Sequence, residues 1–96
     1  MHIAIRRYKT DSVAELTRQV TQGFVPLISN LPGFVAYYGI EAGPDVWASV
    51  SVFETAAEAE ESSRLAADWR KKNKDITHLA VLTEIFVGKV IAHKMK

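Results

Sequence analysis

The stretch from Leu31 to Glu54, LPGFVAYYGIEAGPDVWASVSVFE, restricts the possible folds more than any other part of the chain. Two runs rich in β-branched and aromatic residues flank Gly43-Pro44-Asp45. Glycine admits positive φ, while proline fixes its own φ and donates no hydrogen bond, so the triplet turns the chain back on itself. The runs predict antiparallel strands over 34–42 and 46–53. Leu31-Pro32-Gly33 stops any preceding helix. Neither strand has a wet side, so their sheet needs cover on both faces.

The flanking segments supply the rest of the sheet and its helices. Residues 2–9, HIAIRRYK, alternate with period two and read as a strand, Ile3 and Ile5 on one side and Ala4, Arg6 and Tyr8 on the other. Ser12 and Glu15 fit a capping box ahead of Val13, Leu16, Val20, Phe24, Leu27 and Ile28, a helical spacing over about residues 12–29. Gly23 weakens that helix, and Pro26 predicts a kink or an early end. Thr55 and Glu58 form a second capping box, opening an Ala- and Glu-rich helix over 56–73. Its buried stripe is Ala59, Ser62 or Ser63, Ala66 and Trp69, with Leu65 alongside. Lys71, Lys72 and Lys74 complement the negative end of the helix dipole. Residues 76–83 read as a loop or a short strand, and 84–94 as the last strand.

The order is β-α-β-β-α-β. Right-handed crossovers place strands 1 and 3 side by side in the centre, with both helices on one face. This is a ferredoxin-like plait with a four-stranded antiparallel sheet, a single domain over residues 1–96. Ile3, Ile5, Ala48, Val50 and Val52 are expected beneath the helices. The other face would then carry Ala4, Arg6, Tyr8, Trp47, Ser49, Ser51 and Phe53, too apolar to be wet. Strand 2 adds to it either Phe34, Ala36, Tyr38 and Ile40 or Val35, Tyr37 and Gly39. Four large side chains burying roughly 100 Å² each would gain on the order of 10 kcal/mol before association costs. The expected cover is a second copy packed sheet to sheet about a two-fold axis, closing an α+β barrel.

Composition removes several classes of function. Without cysteine there are no disulfides, thiolate zinc sites, iron–sulfur clusters or cysteine nucleophiles. The net charge of +1 gives no bulk attraction to nucleic acid or to an acidic membrane. Strand 3, VWASVSVF, lacks the basic and glycine pattern of an RNA-binding sheet. Thr10-Asp11-Ser12 is not a glycine-rich phosphate loop. The N-terminus does not read as a signal peptide, and no apolar run approaches the roughly 20 residues that span a bilayer, so the expected location is the cytoplasm.

A Pro-Gly-Phe turn opening strand 2, a third strand ending Val52-Phe53-Glu54 and the acidic helix AEAEESSRLAADW after it resemble the dimeric α+β barrel superfamily. Within it, the antibiotic-biosynthesis-monooxygenase-like domains are the most similar branch. That resemblance implies a homodimer and an oxygenase without metal, flavin or other cofactor. It also implies a pocket for an electron-rich aromatic or polyketide-like molecule, whose anion reacts with dioxygen. The alternative is a non-catalytic ligand-binding or interaction module. A haem-degrading relative is not supported: strand 1 has no Asn, and Trp69 lies two turns later than the Trp of that branch.

The candidate residues follow. His78 is the one histidine near a plausible pocket mouth and has the pKa range of a general base, although a surface turn histidine reads the same. His2 and His93 lie near the chain ends, and three scattered histidines do not make a metal site. Arg6 is either an anchor for a ligand oxyanion or one half of a salt bridge with Glu41 or Glu84. Tyr8, Tyr38 and Trp47 either line a pocket for a flat ligand or fill a dimer core. Trp69 is expected against the sheet at the open end of a helix–sheet cleft. Ser49 and Ser51 have no placed base, and Glu58, Glu60 and Glu61 read as a solvated helix face.

Overall fold

The computed structural model describes residues 1–96. The elements are β1 (His2–Lys9), α1 (Val13–Gln19), a π-helical segment (Val20–Phe24), α2 (Val25–Ile28), β2 (Phe34–Glu41), β3 (Val46–Phe53), α3 (Ala56–Lys72), α4 (Lys74–Leu79) and β4 (Val81–Lys89). The sheet is four-stranded and antiparallel, in the order β2-β3-β1-β4. The ferredoxin-like plait is therefore as expected, with β1 and β3 central.

Local chemistry sets the element ends. Ser12 Oγ accepts from Glu15 N at 3.2 Å, but the Glu15 carboxylate turns to Arg18, so only half of the first box forms. The second box is complete: Glu58 N donates to Thr55 Oγ1 at 3.3 Å and Thr55 N to Glu58 Oε1 at 3.1 Å. The first helix does not end at Pro26. It widens into the π register one turn ahead, where the Val25 N–H reaches the Val20 carbonyl. That accommodates a ring which would crowd the Gln22 carbonyl in an α-helix. Residues 76–83 are not a loop. They complete α4, which buries Ile76, and begin β4 at Val81; β4 ends at Lys89 and not at 94.

The expected faces of the sheet are exchanged, and the expected barrel is not formed. The helices cover Ala4, Arg6, Tyr8, Trp47, Ser49, Ser51 and Phe53, all of them buried. Ile3, Ile5 and Val50 lie on the open side, only partly buried. The sheet is open, with β2 and β4 as free edges. The premise for closure was an aromatic face lacking cover, and the chain's own helices provide that cover. The complementarity is one of size. Large sheet side chains need a shallow helix surface, and α3 presents buried Ala59, Ser62 and Ala66.

In β2 a bulge sets which residues point inward. Phe34 pairs with Phe53 and Ala36 with Val52, which leaves Val35 as the extra residue. Phe34 and Tyr37 thereby share the helix-covered face, three positions apart, and Tyr38 turns outward. The Phe34 and Phe53 rings meet edge to face at 5.8 Å.

Candidate functional site

The face exchange places a cavity between the helices and the sheet. β1 contributes Arg6 and Tyr8, β2 Tyr37, and β3 Trp47 and Ser49. The roof is Leu16, Val20 and Phe24 from the first helix and Ala66, Trp69 and Arg70 from α3, with Ile76 and Ala80 closing one end. The free space is small, about 20 Å³ for the centre of a water-sized sphere, which holds about one water.

Arg6 dominates this interior. It is 1% exposed, in the middle of the sheet. Nη2 donates to Ser51 Oγ at 2.8 Å, and Nη1 to Ser63 Oγ at 3.2 Å and Ser62 Oγ at 3.4 Å. All three acceptors are neutral hydroxyls. The Ser62 hydroxyl is itself oriented by donation to the Ala59 carbonyl at 2.6 Å. Glu84, an expected partner, pairs instead with Arg7 at 3.7 Å on the surface. Arg6 Nε and Ser49 Oγ have no hydrogen-bond partner. Buried charge without an opposite charge is among the least favourable arrangements in a core. Phe24 compensates in part, its ring centroid 5.8 Å from the Arg6 guanidinium.

The two tyrosines are neutral proton holders here. Burial pushes the Tyr37 phenol up to about 12, against the pull of the Arg6 cation. Burial also raises Tyr8, with Arg6 and Arg70 pulling the other way. The Arg70 guanidinium lies 5.3 Å from the Tyr8 ring centroid and donates to the Ala80 carbonyl at 2.8 Å. Trp47 is fixed by donation from Nε1 to Thr17 Oγ1 at 3.0 Å. Trp69 stacks obliquely on Phe24 at 5.4 Å, and its indole rests on Gly23 in the π-helical segment. A Cβ at position 23 would lie 3.0 Å from Trp69 Cζ2, so glycine gives the indole its seat.

Four of the six residues singled out from the sequence meet at this cavity: Arg6, Tyr8, Trp47 and Trp69. Tyr38 does not; it is 58% exposed on the opposite face. His78 does not either; it is exposed on α4, among Arg70, Lys71, Lys74 and Thr77. Tyr37, Phe24 and Arg70 were missed. Arg70 falls four residues after Ala66, on the buried stripe of α3, and that spacing was the available signal. No His, Asp or Glu lines the cavity, and no three His, Cys, Asp or Glu side chains are grouped to hold a metal.

No protein-family model and no curated protein matches the sequence. Solved structures do match. A mutant of SnoaB, a cofactor-independent oxygenase from Streptomyces nogalater, superposes with a TM-score of 0.72 at 10% identity, over 96% of this chain and 94% of that one. A monooxygenase from the gene ActVA-Orf6 of Streptomyces coelicolor, in complex with nanaomycin D, gives 0.72 at 13% identity, over 99% and 91%. MupZ from Pseudomonas fluorescens gives 0.70 at 17% identity, over 90% of this chain and 65% of its own, so the chain spans about two thirds of that protein. The chain thus has the fold of the antibiotic-biosynthesis-monooxygenase-like proteins. No helix is long and apolar enough to cross a membrane.

Proposed function

We propose that the protein binds a small aromatic or polyketide-like molecule in the helix–sheet cavity and oxidises it with dioxygen, without a cofactor. The carrying observation is Arg6: a buried guanidinium surrounded by hydroxyls and rings, with no carboxylate. Such a group lowers the energy of a phenolate or enolate bound beside it. No acidic side chain lines the cavity, so a bound ligand oxyanion can supply the missing negative charge. Tyr8 and Tyr37, neutral at physiological pH, donate hydrogen bonds to the same oxygen. Trp47 and Trp69 face the ring. With a phenol as substrate, the ring carbon loses its hydrogen and gains one oxygen of O₂ as a second carbonyl, and the other oxygen leaves as water. The fold shared with a cofactor-independent oxygenase supports this chemistry.

Entry requires movement. A pocket for a drug-sized ligand is roughly 300 Å³ or more, far above the space here. Trp69 is the side chain to move, being half-buried and seated on Gly23. The filled interior and the absence of a His or carboxylate favour a second reading, a binding protein without catalysis. One experiment separates the two. Hydroquinones and naphthols are titrated against tryptophan fluorescence, and oxygen uptake is followed with each binder. Quenching with uptake supports the oxygenase, quenching without uptake supports the binding protein, and no quenching by any compound refutes both.

The proposed partner is a second copy, through the open face. Tyr38, Ile40 and Phe86 are exposed there beside the partly buried Ile3, Ile5 and Val50. Sedimentation of a folded single copy at micromolar concentration would refute it. Neither nucleic acid nor a membrane is proposed as a partner, and cytoplasmic location remains part of the proposal.

A further inference from the structure

The chain has five arginines. Arg7, Arg18 and Arg64 each face a carboxylate, that of Glu84, Glu15 and Glu61 respectively. The remaining two, Arg6 and Arg70, line the same cavity, and no acidic side chain lines it with them. Each has a buried Nε without a hydrogen-bond partner, and Ser49 Oγ, in the same lining, is also unpartnered.

A guanidinium keeps its proton in a protein, so two cations reach this cavity, Arg6 fully buried and Arg70 partly exposed at its edge. The Phe24 and Tyr8 rings lie beneath them at 5.8 and 5.3 Å. Rings contribute about 0.5–2 kcal/mol each, and a desolvated charge costs several. A negative charge is what is lacking. The free space takes one water-sized sphere and neither a tetrahedral oxyanion nor an aromatic ring. Ten of the thirteen lining residues are hydrophobic, which favours an anion that gives up its water readily.

We infer that the space between Arg6, Arg70 and Ser49 is a binding site for one small monovalent anion of halide size, the counter-ion of the two guanidiniums in the ligand-free protein. The unpartnered Nε groups and the Ser49 hydroxyl are its donors. The site goes beyond the proposed ligand binding, because it fills when no aromatic molecule is present. A ligand oxyanion arriving at Arg6 displaces the ion, so the two compete.

The test is a chloride titration of the protein at constant ionic strength, with gluconate, too large for the cavity, as the replacing anion. The thermal unfolding midpoint is expected to rise with chloride and saturate, as for any ligand of the native state. Excess chlorine-35 NMR line broadening should saturate over the same range. Arg6→Met should abolish both responses; circular dichroism checks its fold, which exchange of a buried charge for an apolar side chain of similar reach often preserves. Ser49→Ala removes an unpartnered hydroxyl without opening the core and should lower chloride affinity by roughly tenfold. Equal midpoints in chloride and gluconate overturn the site, and so does a chloride affinity unchanged in Ser49→Ala. Saturable chloride binding by a protein that binds no hydroquinone keeps the anion site and removes the proposed function, so the two fail separately.

Discussion

Gly39→Ala should destabilise the protein through one contact. Gly39 sits on β2 against the Trp47 indole, and a Cβ added there would lie 2.6 Å from Cζ2 and 2.7 Å from Cη2. Carbon atoms prefer about 3.5–4.0 Å, so two ring atoms overlap by roughly 1 Å. The ring has little room to retreat: it is 4% exposed and its Nε1 is held by Thr17 Oγ1 at 3.0 Å. Overpacking of this kind costs about 1–3 kcal/mol, and a displaced indole also strains its hydrogen bond. Restricting the unfolded chain returns about 0.4–1 kcal/mol. The net expectation is a loss of about 2 kcal/mol, a fall in Tm of roughly 8–16 °C for a domain of this size. Thermal and urea unfolding measure it directly. Trp47→Phe removes the clashing atoms, so the double variant should recover about 1 kcal/mol relative to additivity. A Gly39→Ala protein within about 0.5 kcal/mol of the original, or strict additivity with Trp47→Phe, would refute the contact as the cause.

Three further outcomes follow from the same geometry. The folded protein holds the Tyr37 proton up to about pH 12, whereas the unfolded chain releases it near the ordinary tyrosine value of 10.0. Stability should therefore fall as pH rises through that window and level off above it. Tyr37→Phe should flatten the fall, leaving the contribution of Tyr8, whose pKa burial also raises, and an unchanged slope in alkaline urea titrations counts against the assignment. Thr55→Ala removes the N-cap of α3 and should cost about 1 kcal/mol by urea unfolding, with no loss if the box contributes nothing. His78→Ala should leave hydroquinone quenching and oxygen uptake unchanged, since the imidazole lies outside the cavity; loss of either would return His78 to the site.

Element order was legible because it is written in local chemistry. Pro32-Gly33 and Gly43-Pro44-Asp45 punctuate the chain, Thr55 and Glu58 cap a helix, and period-two runs mark strands whatever lies above them. The choice of face was not local. Both sides of β1 and β3 are apolar enough to be buried, so alternation alone could not say which side the helices take. The deciding quantity was volume. A helix stripe of Ala59, Ser62 and Ala66 leaves room for Trp47, Tyr8 and Phe53, whereas β-branched Ile3, Ile5, Val50 and Val52 make a shallower surface. Small residues on a helix permit a close approach to the sheet, and here they select the larger side chains instead. The Val35 bulge was out of reach for another reason: one unpaired residue reverses parity, moving Tyr37 in and Tyr38 out.

The same two features explain why the chemistry-bearing residues were found and their setting was not. Arg6, Tyr8 and Trp47 share a sheet face because β1 and β3 pair Arg6 with Ser49 and Tyr8 with Trp47 without interruption. What changed was the opposite wall. In place of a second sheet it is α3, which brings Arg70 and the Ser62 and Ser63 hydroxyls to within reach of β1. A strand arginine facing another sheet would more readily meet a carboxylate at a wet rim. Facing α3 it meets neutral hydroxyls and aromatic rings, and it stays unneutralised. The unbalanced charge follows from which face the helices chose, and that choice follows from the small residues of α3. Enlarging the stripe at Ala66 would thus act on charge as well as packing, by forcing the guanidiniums out of the cavity they share with it.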